Sequence, residues 1–344
     1  MKRLLLWMLA AGAFNVLANA PCTAAPQRTH AKYITFDVPG AASGTFPVAI
    51  NASGAVTGHY DDSHDVTHGF LRQADGTIQT FDVPDAFYTF PLAMNDTGEI
   101  TGYYGISNTE IAGFVRKPNG KITAFQVPGD AFDTDGSDMN ANGMIVGRYF
   151  DFSAGVYLGF VRSPGGKFRK FSVDKGGDTN PCCIDDQKTI AGTQIILGRA
   201  HGFVRDPDGA ITTFDVPGIS GGTLVSARSQ TGWIAGNYYV SLDRHKSVSR
   251  GFERAPDGTF TTFYFSERGN ISPRCVDANG TVAGSYNLKD QASRGFLRTS
   301  TGETTTFRVP NATGGTVAMA INDADTITGW FTDEIGAHGY LRIP

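Results

Sequence analysis

Two stretches of this 344-residue chain hold side chains that could do chemistry. His59-Tyr60-Asp61-Asp62-Ser63-His64-Asp65-Val66-Thr67-His68 sets imidazoles beside carboxylates. His59, Asp61, Asp62 and His64 are its candidate ligands, and that donor set suits zinc or another transition metal. The second stretch is Asp130, Asp133, Asp135 and Asp138 in GDAFDTDGSD. Its Asp-x-Asp-Gly run resembles the start of a calcium loop but lacks the bidentate Glu that closes an EF-hand. Calcium is the cofactor this second stretch suggests. Asp138 also occupies a position where most copies of the surrounding repeat carry a small residue, so its burial demands a partner or a metal.

Other candidates are contact residues. Phe87, Tyr88, Phe132 and Phe152 lie in or beside variable loops, and Arg228 and Arg274 depart from apolar positions near a basic loop, Val240–Arg250. An aromatic follows most second-strand glycines (Tyr60, Tyr104, Tyr149, Tyr238, Tyr286 and Phe331, with Gln194 in the remaining copy), reading as core between sheets or as a stacking surface. No Gly-x-Ser-x-Gly elbow, phosphate loop, dinucleotide fingerprint or His-Glu-x-x-His is present.

The elements that must position these residues come from a repeat. HGFLRQADGTIQTFDVP, residues 68–84, reads as a hairpin turning at Asp75-Gly76. A two-residue loop there would set Phe70 opposite Phe81. Gly-Phe or Gly-Tyr recurs from Gly69, Gly113, Gly159, Gly202, Gly251, Gly295 and Gly339, and an Arg closes the strand in each of the seven copies, from Arg72 to Arg342. A period in the forties built only of strands and turns predicts an all-β fold, a seven-bladed β-propeller with four antiparallel strands per blade. In repeat 1 the strands fall at Phe46–Ile50 (A), Ala55–Tyr60 (B), His68–Gln73 (C) and Thr77–Val83 (D). The mid-strand glycine of B (Gly58, Gly102 and their equivalents) predicts close backbone approach between neighbouring sheets. Tyr33–Val38 is a D strand with no A–C strands before it, and His338–Ile343 is a C strand with no D strand after it. Pairing them, with Phe36 opposite Tyr340, closes the last blade and removes the open edges.

Composition fits this picture. Gly is abundant (43 residues), net charge is −4, and no basic footprint for nucleic acid is visible. Lys2, Arg3 and the apolar run Leu4–Phe14 read as a secretory signal within residues 1–24, followed by a linker over 25–31 and the repeats over 32–344. The expected place is therefore secreted or periplasmic, with no transmembrane segment left after cleavage. Cys183 and Cys275 read as small core residues too far apart to bridge.

The unit TFDVPGAASGTFPVAINASGAVTGHYDDSHDVTHGFLR resembles the bacterial extracellular HAF repeats, across about Lys32–Pro344. The resemblance rests on Thr-Phe-Asp-Val-Pro, Ile-Asn-x-x-Gly and His-Gly-Phe-Leu-Arg, although the His stands only at His68, His201 and His338. It implies an exported repeat protein and brings no catalytic motif. The expected function is a monomeric binding module for an extracellular glycan or protein, with the ligand at the rim shared by B–C and D–A loops. The rival expectations are a metal-assisted hydrolase or lyase acting on an extracellular polymer or small ester, and a purely structural envelope protein.

Overall fold

The computed structural model describes residues 16–21 (backbone only), 31–107, 109–129, 131–243, 246–289 and 291–344. The positions expected to hold the charged start and most of the signal lie outside these, as does Asp130. Among the described residues every regular element is a strand.

In repeat 1 the strands are Gly44–Ile50, Val56–Asp61, Thr67–Arg72 and Ile78–Phe81, and each later copy follows the same antiparallel A-B-C-D order. Lys32–Phe36 lies antiparallel on Ala337–Ile343, as the chain-end pairing predicts. A single parallel bridge, Ala337 to Gly44, links that last sheet to the first. The backbone of Val16–Pro21 runs parallel to Phe260–Tyr264, along the outer edge of repeat 5.

The register departs from expectation by one residue. Phe81 faces Gly69, and Phe70 faces Thr80. The hairpin loop is one residue longer than two, with Gly76 in the left-handed region (φ 94°) closing it by a hydrogen bond to the Gln73 carbonyl. The same shift puts Phe36 opposite Gly339 rather than Tyr340. Each D-strand Phe therefore lies over the bare Cα of a C-strand Gly. A Cβ at Gly69 would stand 2.7 Å from the Phe81 ring, and one at Gly202 2.4 Å from Phe214. The Gly of Gly-Phe is the space its partner ring needs.

The two phenylalanines of a hairpin consequently serve different neighbours. Phe81 packs edge-on against Phe114 of the next repeat at 6.2 Å, and the Arg116 guanidinium covers its other side at 4.9 Å. The same staple recurs at each junction, including Arg72 over Phe36 and Phe307 against Tyr340 at the chain ends. Buried cation–π contacts of this kind contribute about 0.5–2 kcal/mol each. Phe70, Phe114, Phe160, Phe203, Phe252, Phe296 and Tyr340 are wholly buried and form the core between sheets.

The glycine inside strand B also has a different cause from the one expected. Every A–B pair carries a bulge in strand A, between Pro47 and Ala49 in repeat 1. The bulge turns the Phe46 carbonyl onto strand B, where a Cβ at Gly58 would meet it at 2.1 Å. The close approach lies within one sheet. Toward the axis the A–B turns clasp one another: Asn95 donates to the Asn140 carbonyl, Asn140 to the Asp185 carbonyl, and Asn322 across the chain ends to the Asn51 carbonyl.

Candidate functional site

The hairpin brings only two of the four proposed metal ligands of repeat 1 together, His64 and Asp62 at 3.5 Å. Asp62 caps the B–C turn, accepting from the His64 and Val66 amides at 2.8 and 2.9 Å; those two bonds hold its carboxyl down at about 2. Asp61 accepts the Thr67 hydroxyl, while His64 points to solvent. His59 turns the other way, stacked between Phe46 and Phe90 with centroids at 5.1 and 4.8 Å. Burial pushes its imidazole down to about 4, so it is neutral at pH 7, and its Nδ1 has no hydrogen-bond partner.

His68 has a structural partner, Asp82, at 2.9 Å. His201 pairs with Asp215 and His338 with Asp37 in the same way. The repeats whose D strand lacks that Asp, with Gln126, Ser172, Tyr264 or Arg308 in its place, also lack the His. The His of His-Gly-Phe is thus half of a cross-strand hydrogen-bonded His–Asp pair.

Asp133, Asp135 and Asp138 of repeat 3 lie on a strand, Ala131–Met139, rather than in a loop. Asp133 adopts a left-handed φ of 48° and accepts from the Ile111 amide. Asp135 is held by Arg148 at 2.9 Å and by the Ser137 hydroxyl. Asp138 accepts from the Ile184 amide at 2.8 Å, and desolvation raises its carboxyl to about 7. Among the described residues no three His, Cys, Asp or Glu side chains stand together in a group that could hold a metal ion.

The aromatics after the B-strand glycines resolve as core, except Tyr104, which is half-buried. Tyr60, Tyr149, Tyr238, Tyr286 and Phe331 are all buried, and Gln194 fills the same space in repeat 4. The loop aromatics stay at the surface: Phe87 is 54% exposed and Phe152 63%, with Phe132 packed on Phe152 at 5.5 Å and Tyr88 edge-on to Phe90. Arg228 is spent on Asp185, which it meets at 2.7 Å. It lines a cavity of about 290 Å³ where the A–B turns converge. Arg274 lines a different cavity and makes no ion pair among the described residues. Cys182 and Cys183 are joined to each other, a bond the sequence reading did not anticipate. Cys275 is a free thiol that burial pushes up to about 12.

Two features escaped the sequence reading. First, the large apolar side chains left exposed are Phe87, Ile106, Phe152, Ile195, Leu197, Tyr239, Leu242 and Ile335. Seven belong to the D–A or B–C connections or the strand ends beside them, which share one rim, and Tyr239 lies on the half of the long strand Ile234–Asp243 that leads to its B–C turn. The opposite rim, made of A–B and C–D turns, carries none among the described residues. Second, the residue immediately after the B-strand Gly differs in every repeat: His59, Tyr103, Arg148, Thr193, Asn237, Ser285 and Trp330. Each pairs across to an A-strand residue that varies nearly as much, from Phe46 in repeat 1 to Val317 in repeat 7, with Phe recurring only at Phe46 and Phe90.

These variable pairs form a band just inside the apolar rim. Trp330 touches Phe46, His59 touches Phe90, and Phe90 stacks on Tyr103, so repeats 7, 1 and 2 make an aromatic arc. Repeats 3 and 4 answer with charge and amide, where Arg148 bridges Asp135 and Asn180. Repeats 5 and 6 carry Asn237, Ser272 and Ser285, and a cavity of about 400 Å³ opens where these small side chains leave room. The repeat signal could have found this band, because variability beside an invariant glycine is visible without coordinates.

No family model and no curated protein matches the chain. Solved structures do. Virginiamycin B lyase from Staphylococcus aureus superposes with a TM-score of 0.59 at 16% identity, over 92% of this chain and all of that one. A streptogramin B lyase gives 0.61 at 13% identity, over 93% of this chain and all of that one. The β-propeller domain of the trilobed protease from Pyrococcus furiosus gives 0.59 at 9% identity, over 87% of this chain and 96% of that domain. The chain is a β-propeller. At these identities the likeness concerns the propeller fold and carries no activity.

Proposed function

We propose that this propeller has seven blades, the last completed by Lys32–Phe36, and that it is an exported binding module of the HAF-repeat kind. Its ligand, an extracellular glycan or protein, meets the B–C/D–A rim. One observation carries this reading: every exposed large apolar side chain among the described residues lies on that rim or on the strand leading to it. Water-facing apolar area is costly unless something covers it, and a one-sided distribution marks the covered side. The variable band beneath would supply selectivity, as residues unconstrained by the repeat can differ blade by blade.

The test is a glycan and protein binding panel with the exported protein and the double variant F152S/L197S. Phe152 and Leu197 are 63% and fully exposed, so stability should change by less than about 0.5 kcal/mol while binding is lost. Retained binding by the double variant, or no binder at all, would reject the rim as the functional surface.

A second reading, a lyase or hydrolase on an extracellular polymer or small ester, is supported by His59. Burial keeps its imidazole neutral at pH 7, the protonation state a general base needs, and its Nδ1 is enclosed without a hydrogen-bond partner. Product analysis over a panel of esters and uronate polymers tests it; turnover unaffected by H59Q would remove His59 from the chemistry.

A further inference from the structure

The cavity between repeats 5 and 6 differs from the rest of the band in chemistry as well as in space. Its wall contains the side chains of Ser226, Asn237, Tyr239, Ser272 and Arg274, and no carboxylate. None of these five makes a side-chain hydrogen bond or ion pair among the described residues, so their hydroxyl, amide and guanidinium donors stand unspent, whereas the Ser249 hydroxyl in the same wall is given to the Ile271 carbonyl. Neighbouring cations are committed elsewhere. Arg228 holds Asp185, and Arg250 is tied to the carbonyls of Ser266 and Glu267 and to the Glu267 carboxylate. Arg274 is the exception, standing where strand A of repeats 1, 2 and 7 carries Val48, Leu92 and Met319. At the outer lip the Tyr239 ring is 43% exposed.

We propose that this cavity binds an anionic saccharide unit. Arg274 would take the carboxylate or sulfate through its planar fork. Ser226, Ser272 and Asn237 would bond the ring hydroxyls, and Tyr239 would offer its face to the sugar's apolar side. A cavity near 400 Å³ is within the range of small-molecule sites and accommodates one sugar residue with its acidic group. The inference rests on the rim reading, since Tyr239 in the cavity wall is one of the exposed apolar side chains of that reading, and it names the ligand class.

Titration calorimetry with glucuronic acid, glucose 6-sulfate, glucose and sodium sulfate tests it, using the intact protein and the variants R274Q and S272A. The acidic sugars should bind about tenfold or more tightly than glucose and than sulfate alone, and lose that advantage in R274Q. S272A should weaken acidic and neutral sugars alike. Glucose binding as tightly as glucuronic acid, sulfate as tightly as the sugar sulfate, unchanged acidic-sugar affinity in R274Q, or no heat from either acidic sugar at about 10 mM would each overturn the proposal. Arg274 is exposed, so an unchanged melting temperature will separate lost binding from lost folding. Panel binding that F152S/L197S abolishes and R274Q leaves intact would sink this site and keep the rim reading; the reverse pattern would do the opposite.

Discussion

Replacing Asp138 by Asn should stabilise the protein, and the gain should grow with pH. Asp138 sits in the strand-A slot that Ala49, Ala93, Ala227 and Ala320 fill in other repeats, enclosed between the innermost strands of repeats 3 and 4. Desolvation lifts its carboxyl from 3.8 to about 7, and only the backbone amides of Ile184 and Met139 work against that rise. For an acid whose folded pKa lies above its unfolded one, the stabilising contribution is complete below the unfolded value. It is then lost as pH climbs toward the folded value. The window runs from about pH 4 to pH 7. A rise of about three units corresponds to about 4 kcal/mol at 1.36 kcal/mol per unit, which is a ceiling. The residue keeps partial exposure, and the effective dielectric there exceeds that of a dry interior, so we expect about half, near 2 kcal/mol.

Asn keeps a carbonyl oxygen for the Ile184 amide and cannot ionise. Urea unfolding of D138N and wild type at pH 4.5, 6 and 8 should therefore show nearly equal midpoints at the lowest pH. The variant should lead by about 2 kcal/mol at the highest, with unchanged m values. D138A removes the acceptor as well. It should be less stable than wild type at pH 4.5 by about 1–3 kcal/mol, the cost of an unpaired buried amide, and should recover as pH rises. A D138N advantage that stays flat from pH 4.5 to 8 would refute the claim that Asp138 is buried against its charge.

Removing one inter-repeat staple should cost less than removing a core ring. R116A takes a guanidinium off Phe81 and is expected to lose about 1–2 kcal/mol by chemical unfolding; a loss below about 0.3 would mean the stacking contributes nothing there. The bond between Cys182 and Cys183 leaves Cys275 as the one free thiol among the described cysteines. Alkylation of the denatured, unreduced protein followed by mass spectrometry should label Cys275 and spare the other two, and label on all three would show the pair reduced.

The sequence alone determined the repeat, its strand order and the meeting of the chain ends, because each is written in local periodicity. Gly-Phe or Gly-Tyr, the closing Arg and an A–B turn opened by Asn, Asp or Ser recur at fixed offsets, and the strand A–D boundaries of repeat 1 fell within about two residues of those observed. Tertiary structure decided how the repeats speak to one another. A one-residue difference in hairpin loop length moved Phe81 from Phe70 to Gly69, and so to the Phe114 and Arg116 of the next repeat. The bulge in strand A, invisible as a pattern, set what the B-strand glycine must clear. Candidate ligands that are neighbours in sequence parted because a hairpin sends them to opposite sides: Asp62 to the turn, His59 between Phe46 and Phe90. Asn237, Ser272 and Arg274 come from distant strands, and no local pattern links them; packing two blades side by side brings them to one cavity.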